Sequence, residues 1–395
     1  MTVQYRDRNS LTLLWRWHGS VWQNLWMSYV IFMAVYFTLN LSYRFAFTVE
    51  MQSAFDELVT TASKFNKIIP ITFLLGFYVS TIVRRWWDQL FCVGWPDKLM
   101  IYVTAFLPSP DMLEVRRTIA RYCCLTSLLV WREVSISVRK RFPTVKHLQA
   151  AGVFTNEEFA LYEQASDQYG KWFTPVSWTV TLLNGLLSKK QITERGHQKL
   201  VDEIFAFRQS CFKLSLYDWL SIPLVYTQVV TVAVYGYFVY CLIARQSLID
   251  GKLWDLIFQV LFTTLEFVFY VGWFKVGEEL RCPFGADDED FDMNYVIDRN
   301  LHVAFMLVDE LHKQQPAIVK DQFWGQTVPK LPHTRASLRC REIPPHWSLS
   351  GMRVPDKDAH FVPLSQTLLD EQAKLLERRE EEIMITDNTG KHHPI

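Results

Sequence analysis

The sequence predicts an all-α membrane protein with four transmembrane helices and a large helical region outside the bilayer. Three observations carry this: four long stretches almost free of charge, the segregation of those stretches from charged flanks, and helix-initiation signals in the segments between them. Over 395 residues, 41 basic side chains balance 41 acidic ones, half of the residues are apolar and 15% are aromatic. Zero net charge excludes recruitment to nucleic acid by bulk positive charge. An apolar half with 21% charged residues excludes a disordered chain. The 28 Phe, 16 Tyr and 15 Trp suit the aromatic belts of a membrane interface. Mean hydropathy is only +0.03, so the membrane part is averaged against a polar remainder.

The first uncharged run, Gly19 to Tyr43, has 25 residues, enough to cross a hydrocarbon core of about 30 Å. It follows Arg6, Arg8 and Arg16 and lacks a small-x-small cleavage site, so it is read as a retained anchor and not a signal peptide. The second, Ile68 to Val83, has 16 residues and stops at Arg84-Arg85-Trp86-Trp87. That is about 24 Å of helix, and its ends must snorkel or extend into polar surroundings. The third, Trp219 to Ala244, has 26 residues; the fourth, Leu256 to Phe274, has 19 and carries one acid, Glu266.

Loop charge sets the expected orientation. Phe45 to Lys67 and Arg245 to Asp255 carry no basic cluster, whereas Arg84 to Asp218 holds Arg116-Arg117, Arg121, Arg132, Arg139-Lys140-Arg141 and Lys189-Lys190. The positive-inside rule then puts both termini and the long segment in the cytoplasm. The seven cysteines are odd in number and have no CxxC spacing, which indicates neither a disulfide framework nor a zinc site. Thr155-Asn156-Glu157-Glu158 has capping-box spacing with Phe154 and Phe159 as its staple, and Tyr295 to Phe305 continues helix-like. The tail from Thr367 to Ile385 is a highly charged helix candidate. The chain thus divides into an N-terminal cytosolic segment (1–26), two membrane helices (27–83), a cytosolic helical region (84–218), two further membrane helices (219–275), an acidic loop with a cytosolic helix (276–325) and a regulatory or disordered tail (326–395).

Two motifs carry chemistry. Ile69, Phe73 and Phe77 stand at i, i+4 and i+8, one stripe of a helix that also holds Pro70 and Gly76. As a bare pattern the stripe fits helix packing as well as a pore. Lining a pore, it would gate water by dewetting and offer no carboxylate to a cation, while the positive ring edges would tolerate a poorly hydrated anion. The second motif, Pro283-Phe284-Gly285-Ala286-Asp287-Asp288-Glu289-Asp290-Phe291-Asp292, puts five carboxylates within six residues. A solvated acidic face and an oxygen-rich cation site both fit it, and it departs from the EF-hand pattern. Absence of GxSxG, P-loop, HExxH and GxGxxG signatures leads to the expectation that the chain is not an enzyme.

Taken together, the sequence resembles the bestrophins, a family of calcium-activated anion channels. The likeness rests on Arg141-Phe142-Pro143; Trp95-Pro96-Asp97; the Ile-Pro-x-x-Phe-x-x-Gly-Phe-Tyr-Val pattern at 69–79 with Arg85-Trp86-Trp87; Tyr217-Asp218-Trp219 with Ile222 to Val230; and the loop at 282–292 running into Val296 to Leu301. It covers roughly residues 1–320. The resemblance implies a homopentamer around one central pore in the plasma membrane, with chloride as permeant ion and Ca²⁺ as regulatory cofactor. It implies a pore neck lined by Ile69, Phe73 and Phe77. It also implies a calcium clasp formed by the side chains of Asp287 and Asp290 and the carbonyls of Glu279 and Cys282, completed by a carbonyl of the N-terminal segment near Val3. The chain departs from the family in a shorter leader, in Ala286 at the first acid of the loop, and in Glu266 where a neutral amide is typical. Counting back from Arg208 puts Arg195 at the lower cytosolic constriction, where five arginines would favour anions. The residues leave open another class, a non-conducting membrane scaffold or regulatory subunit that binds partners through its cytosolic helices.

Overall fold

Every regular element is helical among the described residues of the computed structural model, which are 10–64, 70–165, 170–247, 253–335, 337, 352–356, 359 and 374. Two compact units comprise residues 1–317 and 318–395. The first holds α1 (Ser10–Leu13), α2 (Val21–Phe45), α3 (Val49–Ser63), α4 (Ile71–Phe91), α5 (Asp97–Phe106), α6 (Leu113–Val134), α7 (Ile136–Arg141), α8 (Val145–Ala150), α9 (Asn156–Gln164), α10 (Thr174–Ser188), α11 (Glu194–Trp219), α12 (Leu224–Ala244), α13 (Leu253–Glu279) and α14 (Met293–Asp309). In the second unit, Lys320 lies over the Trp324 ring at 5.3 Å; the helix expected over 367–385 falls almost wholly outside the described residues.

Among the described residues three helices, α2, α12 and α13, are long and apolar enough to cross a membrane. The second predicted run becomes α4, which does not stop at Val83 but continues through Arg84 and Arg85 to Phe91. Charge ends an apolar run, yet Arg is a good helix former and has no reason to end a helix. Two local expectations are revised. Pro70 is not inside the helix: it is the N-cap of α4, its carbonyl accepting the Leu74 N–H at 3.2 Å, a position where a residue without an N–H costs no hydrogen bond. The charged link between the first two runs holds a helix of its own, α3, started by the Thr48 hydroxyl accepting the Met51 N–H, with Glu50 in its first turn.

The apolar faces converge on two cores. In the membrane bundle, Leu25 and Phe32 of α2, Tyr78 and Ile82 of α4, Phe238 of α12 and Phe274 of α13 are buried together. Phe32, Phe238 and Phe267 pack ring against ring with centroids 4.8–5.6 Å apart. The second core joins α5, α6, α10, α11 and α14 around Trp131, whose indole N–H reaches the Val93 carbonyl at 3.0 Å. Arg116, fully buried in α6, donates to the carbonyls of Leu107 and Ser109 at 2.7 Å each and so closes the turn after α5. The capping box at Thr155 forms as its spacing predicts, with Phe154 and Phe159 edge to face at 6.0 Å. Helix α4 serves both cores, with Tyr78 and Ile82 in the first and Trp86 and Leu90 against the second.

The motifs scattered along the sequence meet in this framework. Arg299 forms a two-pronged ion pair with Asp97, at 2.5 and 2.6 Å, and lies over the Trp95 ring at 5.2 Å. Arg141 grips Asp298 in the same manner at 2.8 and 3.1 Å. From α4, Arg85 donates to the carbonyls of Tyr217 and Leu220, fastening the end of α11 to the membrane helix.

Candidate functional site: an aromatic helix face and an acidic loop

Helix α4 has two unlike faces. Ile71, Leu75, Tyr78, Val79 and Ile82 are buried against α12 and α13, while Phe73 and Phe77 point away and are 63% and 59% exposed. The two phenyl rings touch, with centroids 4.7 Å apart. Ile69, the third residue expected on this stripe, lies outside the described residues. Gly76 sits on the same open face: a Cβ there would meet nothing within 4 Å, so within one chain this glycine does not serve a close helix approach. Below it the exposed face becomes polar through Ser80, Thr81 and Arg84. Within the single chain this aromatic pair is uncovered beside a well-packed opposite face, so lipid or another chain must cover it.

Arg195 is exposed at the second position of α11, in the turn capped by Thr193. The 24 residues from there to Trp219 put it roughly 36 Å along the helix axis from the junction with α4. It is therefore separate from both the Phe73–Phe77 face and the acidic loop.

The acidic loop begins where α13 ends. Glu279 is the last residue of α13, and the residue four positions on is Pro283. Proline has no N–H, so the ordinary helical partner of the Glu279 carbonyl does not exist. The loop closes through the Phe291 N–H to the Pro283 carbonyl at 2.9 Å and the Asp290 N–H to the Asp287 carbonyl at 3.2 Å. Asp292 then caps α14, accepting the Tyr295 N–H at 3.2 Å. Among the five carboxylates Asp290 is the buried one, at 3% exposure, and it accepts the Asp287 N–H at 2.6 Å. Burial pushes its carboxyl above the usual range and the Asp287 charge adds to this, while the Asp287 and Gly285 amides pull the other way. The Asp290 Oδ2 and the Cys282 carbonyl oxygen both border the space that a Gly285 Cβ would fill, at 2.6 and 3.6 Å. Asp287 is exposed at the mouth of this space, as is Ala286.

Of the sequence-predicted residues, Cys282, Asp287 and Asp290 lie in this loop and Glu279 at the helix end that leads into it. The expected donors are carbonyl and carboxylate oxygens with no nitrogen or thiolate among them, a set that suits a hard cation. Among the described residues no three His, Cys, Asp or Glu side chains converge on one point, so a cation held here would need backbone carbonyls beside the side chains. Among the described ion pairs, His18 reaches the loop from the N-terminal side, 3.3 Å from Asp288. Residue Val3, expected to add a carbonyl, lies outside the described residues.

Sequence reasoning missed the connection between loop and helix. Phe291, next to Asp290, packs on Trp86 of α4 with ring centroids 4.9 Å apart and on Phe284 at 5.4 Å. The Phe284 carbonyl in turn accepts the Ile136 N–H at 3.1 Å. The run of aromatic residues flanking the acids was the available signal. Glu266 also acquires its partner: Arg245, at 2.8 Å, twenty-one residues earlier at the end of α12.

A bundle of membrane-crossing helices, an open aromatic face on one of them and an oxygen-lined loop on its flank define an α-helical integral membrane protein. The family model described as "Bestrophin, RFP-TM, chloride channel" matches residues 1–310, and the chain belongs to the bestrophin family. It is 38% identical to Bestrophin homolog 14 of Caenorhabditis elegans over 380 residues, covering 95% of this chain and 92% of that one. It is 38% identical to Bestrophin-1 of Homo sapiens over 390 residues, 97% of this chain and 66% of the relative, and 40% identical to Bestrophin-2 of Mus musculus over 361 residues, 87% and 70%. Among solved structures, a bacterial bestrophin homolog from Klebsiella pneumoniae superposes with a TM-score of 0.52 at 13% identity, over 72% of this chain and 97% of that one. A single-substitution variant of a Klebsiella pneumoniae homolog gives 0.55 at 14% identity, over 72% and 99%. This likeness concerns the fold.

Proposed function

We propose that the chain is one subunit of a homopentameric anion channel of the plasma membrane, permeable to chloride and activated by calcium, with both termini in the cytoplasm. The observation that carries this reading is the exposed Phe73–Phe77 face of α4. Five copies brought together on that face would cover the aromatic surface and leave a narrow apolar neck, extended by Ile69. Such a neck excludes water until it widens and holds no carboxylate to attract cations. The chain's membership in a family described as chloride channels supports the same reading. Arg195, at the far end of α11, would add a ring of positive charge to the cytosolic path and favour anions there.

Asp287 and Asp290, with the carbonyls of Glu279 and Cys282, are the residues that would hold the cation. Bound there, Ca²⁺ would supply the positive charge that offsets the crowded carboxylates. The chain itself couples loop to neck: Phe291 bears on Trp86, nine residues below Phe77 on the same rigid helix, and Arg85 holds that part of α4 to the end of α11. A shift of the loop is therefore a shift of α4.

Purified protein in a planar bilayer tests the whole reading. A chloride-selective reversal potential supports the channel; silence supports the scaffold. In excised patches Asp287→Ala with Asp290→Ala should abolish or strongly right-shift calcium activation, and unchanged activation would sink the clasp.

A further inference from the structure

An ionised side chain at membrane depth is costly and is kept paired or put to use. Glu266 of α13 accepts from Tyr237 Oη at 2.7 Å and from Arg245 Nη2 at 2.9 Å to Oε1 and 2.8 Å to Oε2. The same Arg245 nitrogen reaches Tyr237 Oη at 3.0 Å. Arg245 follows the last turn of α12, from which a long side chain could snorkel to water. It runs back along its own helix instead, to Tyr237 eight residues earlier, and is only 17% exposed. Its carbonyl accepts from Tyr36 Oη of α2 at 2.7 Å, and Gln246 bonds Asn40 of α2 at 3.0 Å. The cluster therefore ties α2, α12 and α13 together.

From this knot a line of contacts leads to α4. The Tyr237 ring stands edge-on to the Tyr270 ring, with centroids 5.9 Å apart at 88°. Tyr270 is one turn beyond Glu266 on the same face of α13. Its hydroxyl lies 3.3 Å from Thr72 Oγ1, and Thr72 immediately precedes Phe73 in the first turn of α4.

We infer that Glu266 is a positioning residue: by holding Arg245 and Tyr237 together it orients Tyr270 against Thr72, fixes the first turn of α4, and so sets how readily the neck opens. The inference rests on α4 being the pore helix. A carboxylate suits the task because it accepts from Arg245 and Tyr237 at once with full charge, whereas an amide would meet the guanidinium with a partial charge only. The effect travels through side-chain contacts and not through the permeation path, which separates it from a role in conduction.

Single-channel recording in planar bilayers at one fixed, sub-saturating calcium concentration tests this on wild type, Glu266→Gln, Tyr270→Phe, the double variant, and the charge swap Arg245→Glu with Glu266→Arg. Glu266→Gln and Tyr270→Phe should each change open probability by about fivefold or more in the same direction, the lower end of an ordinary coupling between sites. Unitary conductance and the chloride-to-cation permeability ratio should stay unchanged. The double variant should go no further than the larger single change, because both cut one line, and the charge swap should move open probability back toward wild type. Unaltered open probability in both single variants, additive effects, or a change confined to conductance would overturn the inference. Tyr270→Phe removes one hydroxyl and no charge, so it keeps the test available should Glu266→Gln fail to assemble. A silent wild type would count against the channel reading itself; a conducting wild type with indifferent variants counts against Glu266 alone.

Discussion

Replacing Gly285 with alanine perturbs the acidic loop without removing a single oxygen donor. Gly285 is not among the glycines with positive φ, so the backbone tolerates a side chain there and only space is at issue. An added Cβ would stand 2.6 Å from Asp290 Oδ2 and 3.4 Å from its Cγ. Ordinary contact between a methyl carbon and an oxygen needs upwards of about 3.2 Å, so the carboxylate must retreat by roughly 0.6 Å or the loop must open. Either movement stretches the 2.6 Å bond from the Asp287 N–H to the same oxygen. A stretch of that size weakens the bond without breaking it; losing about half of the roughly 1.5–3 kcal/mol that a hydrogen bond to a charged group contributes should weaken calcium activation by about 3- to 10-fold. The assay is the calcium dependence of chloride current in inside-out patches. Expected is a right shift of that size with maximal current retained at saturating calcium. A half-activating concentration within twofold of wild type would refute the argument that Asp290 is held against Gly285 at the site.

Two other outcomes are expected. Alanine at Phe73 and Phe77, together with Ile69, should give chloride current without calcium, since the opposite face of α4 holds the helix in place and only the open face is trimmed; a channel still shut in zero calcium would argue against a gate here. The third prediction concerns pH. Burial alone would push the Glu158 carboxyl up, but Arg121, the Thr155 N–H and the Tyr122 hydroxyl overcome this and hold it down at about 2. A carboxyl depressed from an ordinary 4.5 stabilises the folded state above the unfolded pKa, and that stability is lost as pH falls from about 4.5 toward 2. The contribution is on the order of 3 kcal/mol. Glu158→Gln should lower the unfolding temperature of the detergent-solubilised protein by several degrees at pH 7 and flatten its acid dependence below pH 5; an equally steep acid limb in the variant would show that other groups carry it.

Much of the fold was legible because its signals are local. Uncharged runs mark α2, α12 and α13 by length alone, and Thr155 with Glu158 marks the start of α9 because a capping box is complete within four residues. The same local logic misjudged the edges of α4. Charge at Arg84 ended the apolar run but not the helix, and Pro70, read as an interior residue, caps it. The short charged link before it read as a loop because α3 is less apolar than the membrane helices, and its one fully buried residue is Val59.

The residue types of the site, two phenylalanines at helical spacing and a crowd of acids beside Pro283, were present in the linear chain because each follows from composition and short-range spacing. What they face was not. Which acid is buried, which glycine makes room for it, and the pairing of Glu266 with Arg245 depend on side chains brought together from separate helices. The contact of Phe291 with Trp86 joins residues more than two hundred positions apart, and no periodicity encodes such a distance. Hydrophobic pattern and capping are properties of a turn or two of chain, so the sequence alone marks the apolar helices and the capped ones. Contact between helices depends on how their packed faces dock, and only the tertiary structure decides which acid, which ring and which arginine become neighbours.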